Sequence, residues 1–221
     1  MPKITLNKKD TLKLIGKAIS DKQLSGAIPL IGTDLEKITK NEIEVEIFPN
    51  RPDMLSEEGF ARALSSFLGI KTGLKAYKVN KSNYKYKVDS KVKRIRPYCT
   101  AAIVKGLKFD KVSLAAIMNL QDKLHTTHGR NRKKVAMGVH DLSKIKFPLT
   151  YTTKPKSFKF RALEDKQEKT IQKILEEHPK GKDYAHLLNK SEVPIWMDAN
   201  NQVLSMPPII NSEETKVTLD T

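Results

Sequence analysis

The sequence contains a single cysteine, few aromatic residues and no long apolar run. Cys99 has no second cysteine with which to form a disulfide within the chain, and a cysteine-based metal cluster is excluded for the same reason. No segment approaches the ~18 consecutive apolar residues that a membrane-spanning helix requires. The N-terminal stretch MPKITLNKKD lacks the apolar core of a secretory signal. We therefore expect a cytoplasmic protein without a membrane partner.

Recognisable catalytic and nucleotide-binding motifs are also missing. The sequence has no G-x-S-x-G, P-loop or G-x-G-x-x-G pattern, and no serine stands in the order of a known triad. A zinc site needs several converging ligands, whereas only His125 and His128 share a helix face and His140 follows alone. We expect no metal site, and we interpret these histidines as solvated or hydrogen-bonded. No local motif supports an ATP-using or nucleophilic enzyme.

Acidic residues are scarce beside basic ones. The 221 residues include 41 Lys and Arg against 25 Asp and Glu, which gives a formal net charge of +16. Such an excess attracts polyanions, of which nucleic acid is the commonest, but a lysine-rich proteome gives the same composition without any RNA. In the compact turn GRNRKK, Arg130 and Arg132 can bridge phosphates while Lys133 and Lys134 add diffuse attraction. The alternative interpretation is a charged surface turn.

Hydrophobic periodicity predicts helices and strands in mixed order. We expect four helices, over 10–18, 56–69, 113–129 and 170–178. The first three are predicted to be capped by Asp10, Ser56 and Ser113, respectively. Alternating or apolar runs predict strands at 43–48, 98–107 and 134–139, and a hairpin in which 194–198 and 202–206 flank Ala-Asn-Asn. The fold class is therefore α+β.

Composition divides the chain into two domains and a basic connector. We expect a small helical domain with a short strand pair in 1–80, a linker and edge strand in 81–93, and a mixed, largely β domain flanked by helices in 94–221. The run 71–96 interleaves tyrosine with lysine, which suits stacking on RNA bases. Lysines that protect a solvated edge strand from aggregation explain the same run.

An apolar run with two adjacent prolines lies near the C-terminal end of the sequence. LSMPPIINSEE occupies 204–214 and changes abruptly from apolar residues to Asn-Ser-Glu-Glu. Proline has no N–H to donate to a strand ladder, so Pro207 and Pro208 cannot lie inside a central strand. The sequence therefore predicts a wall, an edge or a bulge with a polar cluster at its end.

Two stretches contain motifs in a specific order. In 43–64 a strand runs into a turn that we expect to be architectural, because its prolines fix backbone angles; the turn consists of Asn50, Arg51, Pro52 and Asp53. A helix with Gly-x-Ala-Arg follows from Ser56. The second stretch comprises IRPYCTAAIVKGL, HGRNRKKVAMGVHDLSKIKFPLTY, YAHLL and NQVLSMPPIINSEE. In order and spacing, these motifs resemble the beta subunit of archaeal and eukaryal phenylalanyl-tRNA synthetases over nearly the whole chain.

The resemblance implies a place in a heterotetramer of alpha and beta subunits. In that family the alpha subunit performs phenylalanylation with ATP and Mg²⁺, so we expect no cofactor in this chain. The beta subunit has structural, tRNA-binding and editing parts, and its editing domain hydrolyses tyrosine wrongly esterified to phenylalanine tRNA. The implied partners are the aminoacylated 3′ end of that tRNA and the alpha subunit, with no DNA.

The same resemblance assigns the run from Leu204 onwards to the editing pocket. A hydrophobic pocket rejects an isostere with an extra hydroxyl only ~100-fold, so a second site that hydrogen-bonds the phenol is chemically useful. Leu204 is implied to pack on the tyrosyl ring, and no residue is identified as the activator of the water. The wall is implied to contain Met206, Pro207 and Pro208, and the polar rim Asn211, Ser212 and Glu213.

The family pattern continues into a further strand, in which an Asp and a Thr also face the pocket, and those residues lie beyond Thr221. We therefore expect the sequence to be a fragment, or a split or shortened form, of a longer beta subunit. Two other functions stay open. One is a non-catalytic tRNA-binding or assembly module of the same fold, and the other is a general basic RNA-binding protein.

Overall fold

The computed structural model describes residues 2–221, which divide into two compact units. One unit comprises Met1–Asn80 and Ala116–Asn131, and the other comprises Lys81–Ala115 and Arg132–Thr221. The sequence predicted a continuous domain over 94–221, but the segment 116–131 belongs with the N-terminal unit. The reason is hydrophobic, since Leu120 and Leu124 pack against the core of that unit.

The N-terminal unit contains an antiparallel sheet of three strands in the order β1-β3-β2. These are β1 (Lys3–Asn7), β2 (Thr33–Ile38) and β3 (Glu42–Ile47). Every second side chain of β3 is buried, as is typical of a sheet with one face on a core. The sequence predicted only a pair of strands here, and the strand it missed is β1. With five residues and two buried apolar positions, β1 gives too weak an alternating pattern to be predicted.

Four helices contribute to this core, namely α1 (Lys8–Ile15), α2 (Asp21–Ala27), α3 (Glu57–Phe67) and part of α4 (Lys111–Thr126). Ser56 caps α3 as predicted, because its Oγ accepts a hydrogen bond from Gly59 N at 3.3 Å. The predicted cap at Asp10 is wrong. The side chain of Asn7 accepts from Asp10 N at 3.0 Å, so α1 begins earlier and Asp10 lies in its first turn.

Helix α4 begins at Lys111, slightly before the predicted cap at Ser113. Asp110 N donates to Ser113 Oγ at 2.9 Å, and Ser113 N donates to Asp110 Oδ1 at 2.8 Å. This reciprocal pair satisfies two of the N–H groups that a helix start leaves without intrahelical partners.

The second unit contains a five-stranded sheet in the order β10-β9-β8-β5-β4. Its strands are β4 (Tyr86–Val88), β5 (Leu149–Pro155), β8 (Glu192–Met197), β9 (Val203–Met206) and β10 (Ile210–Asn211). Strand β4 pairs in parallel with β5, and the other pairs are antiparallel. The predicted hairpin at 194–206 is confirmed as β8 and β9.

One face of this sheet packs on two short helices, α5 (Ile171–Glu177) and α6 (Pro179–Tyr184), and on a small strand pair, β6 (Lys159–Phe160) with β7 (Lys169–Thr170). The predicted helix over 170–178 is confirmed as α5. Thr170 caps it by accepting from Lys173 N at 3.3 Å.

The strands predicted at 98–107 and 134–139 are wrong. Both segments lack regular secondary structure, and many of their apolar side chains face solvent, with Tyr98 at 91% and Val104 at 66% exposure. Strand preference is realised only where a neighbouring strand offers its backbone. Neither segment pairs with any strand of the five-stranded sheet.

Gly59 allows α3 to approach the preceding turn closely. A Cβ added there would lie 1.8 Å from the carbonyl oxygen of Asp53, whereas a Cβ added to Gly26 in α2 would meet nothing within 4 Å. We predict that Gly59→Ala lowers the free energy of unfolding by about 1–3 kcal/mol or more through overpacking. Gly26→Ala is the matched control and should raise it by about 0.5–1 kcal/mol, because alanine favours helix. Urea unfolding followed by circular dichroism measures both, and similar effects of the two substitutions would contradict this account.

Candidate functional site

The apolar ledge, residues 204–210, consists of β9, a turn and the start of β10. Leu204 is 3% exposed, Pro208 is buried and Pro207 is half-buried. Met206 is fully buried in the cluster that packs on α5, and its implied place in the pocket wall stays a prediction. Leu204 is not a member of that cluster.

Arg132 binds the turn of the ledge from within the unit. Its guanidinium donates to the carbonyl of Pro208 at 3.3 Å and to that of Ile209 at 2.7 Å. It also lies over the ring of Tyr184, 4.5 Å from the centroid, and the residue is only 8% exposed. A guanidinium engaged in this way does not face solvent, so the predicted phosphate contact is wrong for Arg132.

The rest of the basic turn stays on the surface. Arg130, Lys133 and Lys134 are exposed, and their attraction for phosphates remains a prediction. Arg130, Asn131 and Arg132 have φ angles of 50°, 52° and 64°, in the left-handed region that residues other than glycine seldom adopt. Arg96 donates to the carbonyls of residues 132, 133 and 134 at 3.2–3.4 Å. The turn is therefore held by two arginines.

A polar cluster lies at the end of the ledge. His140 Nδ1 is 2.9 Å from Thr215 Oγ1, and Asn211 Nδ2 donates to Val139 O at 3.5 Å. A Cβ on Gly138 would lie 2.8 Å from Asn211 Oδ1 and 2.9 Å from His140 Nε2. The missing side chain of Gly138 thus lets both polar atoms approach one point. Burial lowers the pKa of His140 to about 4, so its imidazole is neutral at pH 7.

The other two residues of the implied rim are bonded within the chain. Ser212 is buried, and its Oγ donates to Arg161 O at 3.2 Å and accepts from Glu214 N at 3.2 Å. Glu213 accepts from Glu164 N at 2.9 Å and pairs with Lys216. Burial opposes ionisation of Glu213, but these contacts hold its pKa below the usual value. Of the three implied rim residues, Asn211 is therefore the one whose side chain approaches Gly138 beside His140.

The turn from Asn50 to Asp53 is organised by an ion pair. Arg51 Nε and one of its terminal nitrogens donate to the two carboxylate oxygens of Asp53 at 3.0 Å each, and the other terminal nitrogen donates to Ile31 O at 3.2 Å. Arg51 holds the pKa of Asp53 below its ordinary value. Pro52 starts the short 3-10 turn that precedes α3. The principal partner of the Asp53 carboxylate is therefore the Arg51 side chain.

Among residues 2–221, no three His, Cys, Asp or Glu side chains come close enough together to hold a metal ion. Within that range no helix combines the length and the apolar character needed to cross a membrane. His125 is buried 3.9 Å from Asp122, and His128 is exposed.

A known domain family covers all of the second unit and also the segment 116–131. The B3/4 domain profile matches residues 81–221, which is more than half of the chain, and the chain belongs to this family. Its full length is homologous to the N-terminal region of the phenylalanyl-tRNA synthetase beta subunit, as the following relatives indicate.

The phenylalanine–tRNA ligase beta subunit of Archaeoglobus fulgidus is 45% identical over all of this chain and 40% of its own length. That of Methanocaldococcus jannaschii is 42% identical over all of this chain and 41% of its own length. The crystal structure of an N-terminal fragment of the phenylalanyl-tRNA synthetase beta subunit from Pyrococcus horikoshii superposes with a TM-score of 0.93 at 42% identity, covering 100% of this chain and 65% of that one. The chain therefore spans about two fifths of the length of these curated relatives.

Arg132 and Arg130 provide a test of the buried contact. We predict that Arg132→Ala lowers the free energy of unfolding by about 1.5–3 kcal/mol, because two carbonyls lose a charged donor. Arg130→Ala removes the same charge from the exposed part of the turn and should change it by less than about 0.5 kcal/mol. Urea unfolding of both variants is the measurement. If both variants lose the same free energy of unfolding, the charge of the turn stabilises the fold and the buried hydrogen bonds of Arg132 do not.

His140 should contribute to the pH dependence of stability. Its pKa is about 4 in the folded chain against 6.5 for the free side chain, so the unfolded chain binds more protons between those values. Stability from this residue is complete above pH 6.5 and falls as the pH drops towards 4, in total by at most about 3 kcal/mol. We predict a shallower fall for His140→Gln. The exposed His128 supplies the control, and a His128→Gln profile as shallow as that of His140→Gln would contradict the assignment.

Proposed function

We propose that the chain forms an editing site that hydrolyses tyrosine wrongly esterified to phenylalanine tRNA. The proposal is carried by the junction of the apolar ledge with the polar cluster. Pro207, which is half-buried, offers apolar surface that can hold an aromatic ring, and the buried Leu204 belongs to the same ledge. At the end of the ledge, Asn211 Oδ1 and His140 Nε2 both approach the point where a side chain on Gly138 would begin. Kinship with the beta subunit supports the same function.

The chemistry needs no nucleophile from the protein. Water attacks the carbonyl carbon of the ester, the bond between that carbon and the ribose oxygen breaks, and the ribose oxygen leaves with a proton. Neutral His140 has Nδ1 on Thr215, and its Nε2 approaches the same point beside Gly138 as Asn211 Oδ1 does. An imidazole and an amide in this arrangement can orient a water molecule or the phenol by hydrogen bonds. Selection against phenylalanine then rests on a group that bonds the phenol oxygen.

The proposed partners are phenylalanine tRNA and the alpha subunit. We assign phenylalanylation, with its ATP and Mg²⁺, to the alpha subunit of the intact heterotetramer, because ester hydrolysis requires neither. The exposed cations Arg130, Lys133 and Lys134 would attract the tRNA backbone.

Gly138→Ala tests the polar cluster in the intact alpha/beta enzyme. The added methyl group would occupy the point that Asn211 Oδ1 and His140 Nε2 approach, and it would displace the flexible ends of those side chains rather than backbone. We expect single-turnover deacylation of tyrosyl-tRNA to slow by about tenfold or more, the equivalent of one hydrogen bond. Gly26→Ala is the matched control and should leave the rate unchanged. A normal rate for Gly138→Ala would reject this cluster as the reacting site.

Leu204→Ala tests the wall separately. Leucine holds a ring but cannot distinguish tyrosine from phenylalanine by hydrogen bonding, so its loss should weaken binding of both aminoacyl esters to a similar extent. The measurement is the dependence of the deacylation rate on enzyme concentration with each ester. Loss confined to one of the two esters would contradict this role.

A non-catalytic tRNA-binding module is the second candidate. It is favoured by the internal bonds of Ser212 and Glu213, which occupy two of the three implied rim groups. Measurement of tRNA binding beside deacylation separates the two functions. Binding of tyrosyl-tRNA with no hydrolysis by the intact enzyme would favour the module, and hydrolysis that Gly138→Ala abolishes would favour editing.

A further inference from the structure

One face of the five-stranded sheet carries a row of aromatic rings. Val193, Ile195 and Met197 of β8 point into the core cluster, so Trp196 between them points to the opposite face. Register places Tyr151 of β5 and Tyr86 of β4 on that same face, and Tyr84 and Phe147 lie in the segments that lead into those strands. This aromatic row consists of Tyr84, Tyr86, Phe147, Tyr151 and Trp196.

The rings of the aromatic row contact one another in two groups, one around Trp196 and the other formed by Tyr84 and Phe147. The centroids of Tyr151 and Trp196 are 4.9 Å apart and stacked, and those of Tyr86 and Trp196 are 5.5 Å apart, edge to face. Those of Tyr84 and Phe147 are 4.5 Å apart. Tyr151 is buried, but Tyr84 and Tyr86 are 40% and 41% exposed at the edge strand β4. The row is therefore closed at one end and open to solvent at the other.

The open end lies in a region of positive charge. Residues 81–88 contain three lysines and no acidic residue, and all eight are exposed. Lys105 Nζ is 5.0 Å from the centroid of the Tyr84 ring. Lysines alone are enough to prevent an edge strand from aggregating, and exposed tyrosines on that strand would work against this. The combination instead suits a ligand that has both flat rings and negative charge.

We propose that the open end of the aromatic row binds single-stranded RNA, with bases stacked on Tyr86 and Tyr84 and a phosphate on Lys105. Aromatic platforms bordered by cations bind single strands with little sequence preference, because every base has a flat π face. An acidic protein segment would satisfy the charge but offers no regular series of rings to stack. This inference goes beyond the proposed editing function, since it requires neither an ester nor hydrolysis.

The fluorescence of Trp196 provides the test, because the sequence has only one tryptophan. The chain is titrated with a single-stranded oligoadenylate and, at equal charge, with polyglutamate. Trp196 lies in the row itself, so we expect oligoadenylate to change its emission in a saturable way and polyglutamate to change it far less. An equal response to both polymers would overturn the proposal in favour of charge alone or of an acidic protein partner.

Substitutions at the tyrosines separate stacking from charge. Tyr86→Ala should weaken oligoadenylate binding about tenfold, the effect of losing one stacked base, while Tyr86→Phe keeps the ring and should bind within about twofold of the parent. Tyr77 is the matched control, because it is exposed in the same lysine-rich run but lies in the N-terminal unit, outside the row. Tyr77→Ala should bind normally. Unchanged affinity in Tyr86→Ala, or an equal loss in Tyr77→Ala, would overturn the proposal.

Salt dependence tests Lys105. Each phosphate contact to a single strand contributes about −0.7 to the slope of log affinity against log salt. Lys105→Gln should therefore make the slope shallower by about 0.7, whereas Lys108→Gln, in the same exposed segment, should not. Identical slopes for the two variants would remove Lys105 from the site.

Discussion

The candidate site of the second unit depends on one contact, between the guanidinium of Arg132 and the carbonyls of Pro208 and Ile209. Two adjacent prolines stiffen the ledge but remove two N–H donors from the turn. A buried carbonyl without a donor is costly, and a guanidinium has several donors and no acceptor, so one side chain can serve both oxygens. The rigid apolar turn that a ring-binding surface requires thus exists because a cation is buried behind it.

That contact ends a chain of hydrogen bonds that starts in the sheet. The hydroxyl of Tyr151 on β5 donates to Arg96 O at 3.0 Å, and the Arg96 side chain donates to the carbonyls of residues 132–134. The turn so fixed places Arg132 against the ledge. Three successive left-handed residues cost roughly 1–2 kcal/mol each, which buried charged hydrogen bonds can offset. The clustered cations therefore divide their roles, since one is structural and the others face solvent.

Local signals in the sequence predicted α3, α5 and the β8–β9 hairpin, because caps, turn residues and period all lie within a few residues of one another. They failed where the outcome depends on distant partners. The run 98–107 has strand composition but no strand beside it. Arg130 and Arg132 look equivalent in the sequence, and only the packing of Tyr184 and the ledge distinguishes them.

The polar cluster was missed because 75 positions separate His140 from Thr215. Met206 and Leu204 differ because a bulge lies between β8 and β9, which periodicity cannot reveal.

Ser212 illustrates how structural and chemical roles combine in this segment. Its hydroxyl joins the segment around Arg161 to the backbone at Glu214, and Arg161 itself pairs with the Glu214 carboxylate at 2.7 Å. A serine bonded on both sides has little capacity left for a ligand, yet its removal would loosen the strand that positions Asn211. Loss of hydrolysis on replacing Ser212 therefore does not by itself identify a substrate contact. Gly138 is the more decisive position, because a methyl group there displaces the polar atoms and leaves the hydrogen bonds of Ser212 intact.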